Sequence, residues 1–196
     1  MNHWFLYAVF WVLLRFCHPV FRVIGRENIP AEPGYMICAN HFAMSDPFWI
    51  LLALKPRKLP RVMAKQELMN VPLLGAYLRR IGVFGVKRGE QDVNAIKTAM
   101  LALRNHEGLA IFPEGTRIRH GKVSQPKSGA MLLATRTGSA ILPVYLQTSR
   151  KFWAPMYCVI GKPYVPQPSC PKPSSEELQT MTDRMMQEIY ALGGSV

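Results

Sequence analysis

The stretch YMICANHFAMSDPFWILLAL, Tyr35 to Leu54, decides the fold class, because it passes from a strand-like to a helix-like run across one polar turn. Tyr35 to Ala39 is short and apolar enough for a buried strand, and Ser45-Asp46-Pro47 offers a capping side chain followed by proline at the first helical position. A helix is expected over Asp46 to Leu54. Between the two runs stand His41 and Asp46. Five residues on a regular helix is about 500° of rotation, so these side chains meet only if His41 lies on the turn before the helix starts. The helix dipole then favours the carboxylate, which can hold the imidazole in one tautomer and stabilise its protonated form. The segment equally fits a capping aspartate beside a surface histidine, and spacing alone does not choose.

Outward from this unit, strands and helices keep alternating. Arg61 to Ala64 suits a short strand, Gln66 to Arg80 a helix broken at Pro72, and Ile81 to Val86 an apolar segment ended by the basic turn Lys87-Arg88-Gly89. Val93, Ile96, Met100 and Leu103 recur at helical spacing. Gly108 to Phe112 is a strand that stops at PEGTR, and Lys127 to Thr137 is a helix with Gly138 as its C-terminal glycine. Ala140 to Leu146 and Tyr157 to Ile160 are strands, followed by a proline-rich loop from Pro163 to Pro173. Ser174 to Leu192 closes the chain, with Ser174 and Glu177 in capping-box spacing and Leu178, Met181, Met185, Ile189 and Leu192 along one core-packing stripe. The pattern predicts an α/β fold: a mixed, largely parallel sheet flanked by helices, with functional residues on loops at strand ends.

At 196 residues, 49% hydrophobic and 18% charged, the chain has the composition of one folded domain, which excludes disorder. Its net charge of +12 implies an anionic partner: nucleic acid, an acidic membrane surface, a phosphorylated substrate or an acidic carrier protein. Cys17, Cys38, Cys158 and Cys170 form no CxxC pair, so neither a disulfide framework nor a zinc site is indicated; Cys38 and Cys158 lie in apolar runs and read as small buried hydrophobes in a reducing cytoplasm. From Trp4 to Leu14 every residue is apolar, a run well short of the roughly 20 needed to span a bilayer. No basic stretch precedes it and no small-residue cleavage site follows, as a secretory signal requires. Its aromatics suit a membrane interface, and Arg15 and Arg22 can face lipid phosphates. Residues 1–24 therefore read as a membrane-interfacial helical segment ahead of a domain over 25–196, the alternative being a helix buried in the protein.

Two strand ends are basic: VFGVKRG with Lys87 and Arg88, and IFPEGTRIR with Arg117 and Arg119. Arginine grips a phosphate with two parallel hydrogen bonds, and the Gly115-Thr116 turn adds backbone N–H and hydroxyl donors. Singly, each also fits a solvated basic loop, and Glu114 a structural acid. In order, however, NHFAMSD, GVFGVKRG, FPEGTR and ILPV make the chain resemble the glycerolipid acyltransferase family, most closely the bacterial 1-acyl-sn-glycerol-3-phosphate acyltransferases. That family's NHxxxxD motif is matched by Asn40, His41 and Asp46, its glycine-started strand ending in arginine by Gly82 and Arg88, its FPEGTR by Phe112 to Arg117, and its proline-bearing strand by Ile141 to Val144. Lys65, Glu67 and Lys127-Ser128-Gly129 also look familial; Gly85 and Lys87 depart from the family's usual phenylalanine and acidic residue.

The resemblance implies a glycerol-3-phosphate acyltransferase-like fold and transfer of a fatty acyl group from acyl carrier protein or coenzyme A to the sn-2 hydroxyl of lysophosphatidic acid, giving phosphatidic acid. A thioester is already activated, so no enzyme nucleophile, cofactor or metal is required, and the chain has no GxSxG elbow. His41 is the implied general base, oriented by Asp46; Lys87, Arg88, Gly115, Thr116 and Arg117 are the implied acceptor-phosphate site, with Glu114 in that site or holding Arg117. A cell-membrane enzyme, peripheral or monotopic on the cytoplasmic face, is implied. Acylation of glycerol-3-phosphate or another lysophospholipid stays open, as does a basic membrane-surface protein without catalysis. A nucleic-acid partner explains the charge but leaves FPEGTR and the apolar N-terminus unexplained, and no aromatic-basic recognition motif supports it.

Overall fold

The computed structural model describes residues 11–12, 14–56, 59–87, 92–117, 125–147 and 153–195. Most of the apolar run from Trp4 to Leu14, and both Arg88 and Arg119, lie outside them. Seven strands among the described residues form one sheet: β1 (Phe21–Ile24), β2 (Met36–Ala39), β3 (Arg61–Lys65), β4 (Val83–Val86), β5 (Leu109–Ile111), β6 (Ile141–Leu146) and β7 (Met156–Ile160). Their spatial order is β1-β7-β6-β2-β5-β3-β4. The five from β6 to β4 are mutually parallel, β7 runs antiparallel to β6, and β1 follows β7. The sheet is thus mixed and mostly parallel, as the alternation of elements predicts.

Central β2 shows why. All four of its residues are buried, yet they still alternate: Met36 and Cys38 enter one core, Ile37 and Ala39 the other. The first core is roofed by the helices α4 (Val93–Arg104), α5 (Gly129–Thr137) and α6 (Ser175–Leu192), which contribute Leu103, Met131, Leu133, Met185 and Ile189. The second is covered by α1 (Asp46–Leu54), whose Trp49 and Ile50 pack on Ala39, Val144 and Cys158. Burial pushes the thiols of Cys38 and Cys158 up to about 12, consistent with their role as packing groups.

Local chemistry accounts for most element boundaries. The helical stretch after β3 divides into α2 (Gln66–Met69) and α3 (Leu74–Arg80) around Pro72. The two pieces pack so closely that a Cβ on Gly75 would lie 2.0 Å from the Met69 carbonyl oxygen. Gly138 ends α5 at φ 67°, a left-handed conformation that suits glycine. Lys127, expected inside α5, instead precedes it, and its N–H donates to Pro113 at 2.7 Å. At α6, Ser174 caps the Glu177 N–H, but the Glu177 carboxylate accepts from Ser169 N–H and Oγ, so the capping box is half formed. The edge strand β1, grouped by sequence with the N-terminal segment, pairs in register with β7 from Phe21↔Met156 to Ile24↔Val159.

Candidate active site

Because β6, β2, β5, β3 and β4 run the same way, their C-terminal ends share one edge of the sheet, where loops collect chemistry-bearing residues. The β2 end is pinned first. Asn40 is fully buried and uses its amide like a piece of backbone, donating to the Leu146 carbonyl at 2.9 Å and accepting the Leu146 N–H at 2.8 Å. This holds the β2 and β6 ends together and presents His41 on the turn beyond.

His41 and Asp46 do meet. His41 Nδ1 lies 2.9 Å from Asp46 Oδ2, and the same oxygen accepts the N–H groups of Phe42 at 2.6 Å and Ala43 at 2.7 Å. Pro47 does sit in the first turn of the helix, but no side-chain cap hydrogen bond forms at Ser45, and the Asp46 carboxylate turns back into the loop. Asp46 is buried and His41 nearly so, with 13% of its side chain exposed. Since a carboxylate only accepts, Nδ1 carries the proton in this pairing and the lone pair falls on Nε2. The imidazole stacks on Phe112 with ring centroids 4.2 Å apart and 23° between planes, so its orientation is fixed on two sides. A histidine held in one tautomer by a carboxylate is suited to taking a proton from a hydroxyl.

Next to β2 lies β5, which delivers Phe112 to Arg117. Gly115 sits at φ 68° and donates its N–H to Phe112 at 2.9 Å, closing a tight turn. Glu114 is buried beneath that turn. One carboxylate oxygen accepts the His41 N–H at 2.9 Å and the other accepts the Tyr190 hydroxyl of α6. Burial raises the Glu114 pKa, while the Tyr190 and His41 hydrogen bonds pull it back down. Tyr190 is raised by its own burial and by the Glu114 contact, so it stays protonated and donates. Glu114 therefore supports the His41 turn from below.

Thr116 is exposed and Arg117 half-buried, both on the loop that adjoins His41. Lys87, at the end of β4, is exposed and stands three strands from β2, about 14 Å along the same edge at the usual spacing. Its N–H donates to Asp92, whose other oxygen caps α4 at Ala95. Arg88 falls outside the described residues. Two participants are not among the residues singled out for the site from sequence. Tyr190 lies 76 residues from its partner, and the only local hint is one aromatic among the apolar residues of an amphipathic helix, a ring whose hydroxyl needs a partner once buried. Lys127, which looked familial but without a role, lays its side chain over the FPEGTR turn, with Cδ and Cε 3.5 Å from where a Gly115 Cβ would stand. Among the described residues no group of three or more His, Cys, Asp or Glu side chains is placed to hold a metal ion.

Glu114→Ala leaves the part-buried His41 N–H and the Tyr190 hydroxyl without this acceptor. A loss of about 2–3 kcal/mol in urea unfolding is expected. In a double-mutant cycle, Glu114→Ala and Tyr190→Phe are expected to couple by about 1–2 kcal/mol, whereas additive effects would mean that the two groups act independently.

Comparison with known proteins gives a consistent picture. A family model described as Acyltransferase matches residues 20–147. The chain is similar to a 1-acyl-sn-glycerol-3-phosphate acyltransferase of Bacillus subtilis (strain 168), 29% identical over 176 residues that cover 87% of each chain. It is also similar to a protein of that name from Borreliella burgdorferi, 36% identical over 138 residues, 67% of this chain and 52% of that one. The crystal structure of the 1-acyl-sn-glycerophosphate (LPA) acyltransferase PlsC from Thermotoga maritima aligns with a TM-score of 0.68 at 27% identity, covering 89% of this chain and 72% of that one.

Proposed function

Because this chain belongs to the acyltransferase family, we propose that it transfers a fatty acyl group from acyl carrier protein or coenzyme A to the sn-2 hydroxyl of 1-acyl-sn-glycerol-3-phosphate. The observation that carries the mechanism is the His41 Nδ1 to Asp46 pairing at 2.9 Å. With Nδ1 donated to Asp46, Nε2 removes the hydroxyl proton as the oxygen attacks the thioester carbonyl. The tetrahedral intermediate collapses by breaking the C–S bond, and the imidazolium returns the proton to the departing thiolate. Atoms balance as one ester formed and one thiol released, with no acyl-enzyme. Asp46 holds the tautomer and offsets the charge that develops on the ring.

The acceptor's phosphate is bound by Arg117 with the Gly115 and Thr116 turn, joined by Lys87, Arg88 and the Lys127 ammonium. These charge-assisted hydrogen bonds are formed in ground and transition states alike, so they act mainly on binding. Arg117→Ala is accordingly expected to raise the acceptor KM about 10–100-fold, with a smaller change in kcat and an unchanged donor KM. A kcat defect at constant acceptor KM would remove Arg117 from the phosphate site. The protein works at the cytoplasmic face of the membrane, as a net charge of +12 suits an anionic lipid surface. No helix among the described residues is long and apolar enough to cross a bilayer.

The direct test is thiol release from acyl-acyl carrier protein and acyl-CoA by the full chain in detergent, with lysophosphatidic acid, glycerol-3-phosphate or no acceptor. Release that depends on lysophosphatidic acid supports the reaction. Release at the same rate without acceptor refutes it, and dependence on glycerol-3-phosphate moves the assignment to that acceptor.

A further inference from the structure

The crossover between β3 and β4 carries a strained leucine that points outward and has no part in the chemistry. Leu73 has φ 60° and ψ −49°, and the Leu74 N–H donates to the Pro72 carbonyl at 2.6 Å. Leu73 is thus the middle residue of a three-residue turn with positive φ, a form that is rare and costly for a residue with a Cβ. Nothing in its packing repays the strain: the residue is 88% exposed, and its neighbours Val71 and Leu74 are exposed too. A glycine would adopt this backbone freely, and a polar side chain would suit water better.

The direction of the strands says where this leucine stands. β3 runs parallel to β5 and hence to β2, so the crossover leaves the sheet at the edge that carries His41. β1 runs the opposite way, so the segment that precedes it, with exposed Phe16, meets the same edge. Trp153, 60% exposed, lies between β6 and β7; its N–H donates to Cys17 and its ring meets Phe16 edge-on at 6.4 Å. Exposed Met44 is on the His41 turn itself. Apolar side chains displayed along one edge mark a contact surface. The chain's charge of +12 selects an anionic lipid surface as the occupant.

We propose that the Val71–Leu73–Leu74 turn inserts into the headgroup–acyl boundary of the bilayer, as a second point of contact beyond the Phe16–Trp153 side, so that the edge bearing His41 lies along the membrane surface between them. The inference rests on the acyl-transfer reading only for the role of that edge. The turn already displays Leu73 outward, so that its insertion needs no rearrangement.

The test is cosedimentation of the full chain with sucrose-loaded vesicles of phosphatidylglycerol and phosphatidylcholine in equal amounts, without substrates, so it reads out even if acyl transfer is wrong. Leu73→Ser and Leu73→Gly are each expected to lower the partition coefficient about tenfold. Leu73→Gly is expected to keep or raise the melting temperature, since glycine relieves the positive φ, which separates lost insertion from lost folding. Leu101→Ser removes a leucine 61% exposed on α4, away from the turn, and is expected to leave partition unchanged. Wild-type partition in both Leu73 variants, or an equal fall in Leu101→Ser, overturns the proposal. Wild-type partition joined to weaker binding of acyl carrier protein also overturns it, and assigns the turn to protein docking.

Discussion

His41→Ala is expected to lower kcat by about 10²–10⁴-fold, roughly 3–5 kcal/mol of barrier, with the melting temperature and acceptor KM near wild type. The separation follows from the hydrogen bonds around Asp46. When the imidazole is removed, Asp46 Oδ2 still accepts the N–H groups of Phe42 and Ala43, so no buried carboxylate is left without donors. The His41 N–H still donates to Glu114, because that bond belongs to the backbone and survives the substitution. What disappears is the Nδ1 bond to Asp46 and the stack on Phe112, an exchange that costs about 1 kcal/mol of stability. Phosphate binding, assigned to the FPEGTR loop and Lys87, is untouched. Steady-state rates with saturating acyl donor decide the matter: a kcat within threefold of wild type in a folded His41→Ala protein sinks the general-base mechanism.

The Tyr35–Leu54 unit is legible from sequence because its signals are local. An apolar run of strand length, a proline at a helix start and a helical apolar run each act within a few residues, and the observed β2 and α1 agree with them. The meeting of His41 and Asp46 follows once His41 is placed before the helix. What stays hidden depends on partners distant in sequence. Glu114 reads as a phosphate-site acid or a tether for Arg117, and the bonds of its carboxylate to His41, 73 residues away, and Tyr190, 76 residues away, leave no local signal. Asp46 also reads as a helix cap, but its carboxylate reaches three donors in the preceding loop and sets the geometry there instead. β1 is invisible because Phe21 to Ile24 alternates too briefly beside an apolar N-terminal run, and only pairing with β7 makes it a strand. The half-formed capping box has the same cause: Glu177 finds Ser169 across a proline-rich loop whose path no local rule gives.

Asp46 should show two separable effects, because one carboxylate oxygen does two jobs. Asp46→Ala removes the acceptor for Phe42 N–H, Ala43 N–H and His41 Nδ1 together, so a loss of about 2–4 kcal/mol in stability is expected, along with loss of activity. Asp46→Asn keeps the shape and one acceptor oxygen, which can still take the two backbone N–H groups and hold the loop. It cannot offset a positive imidazolium, and its NH₂ group can turn toward the ring and favour the wrong tautomer. Near-native urea unfolding with kcat down about 10²–10³-fold is therefore expected for Asp46→Asn. Were the aspartate only a structural group that holds the turn, the alanine variant would still lose stability, but the asparagine variant, an equally good acceptor for the two N–H groups, would keep wild-type turnover. Comparing the two variants by unfolding and by kcat thus discriminates between a catalytic and a purely structural role for the His41–Asp46 pair, and does so without reference to how the acceptor's phosphate is held.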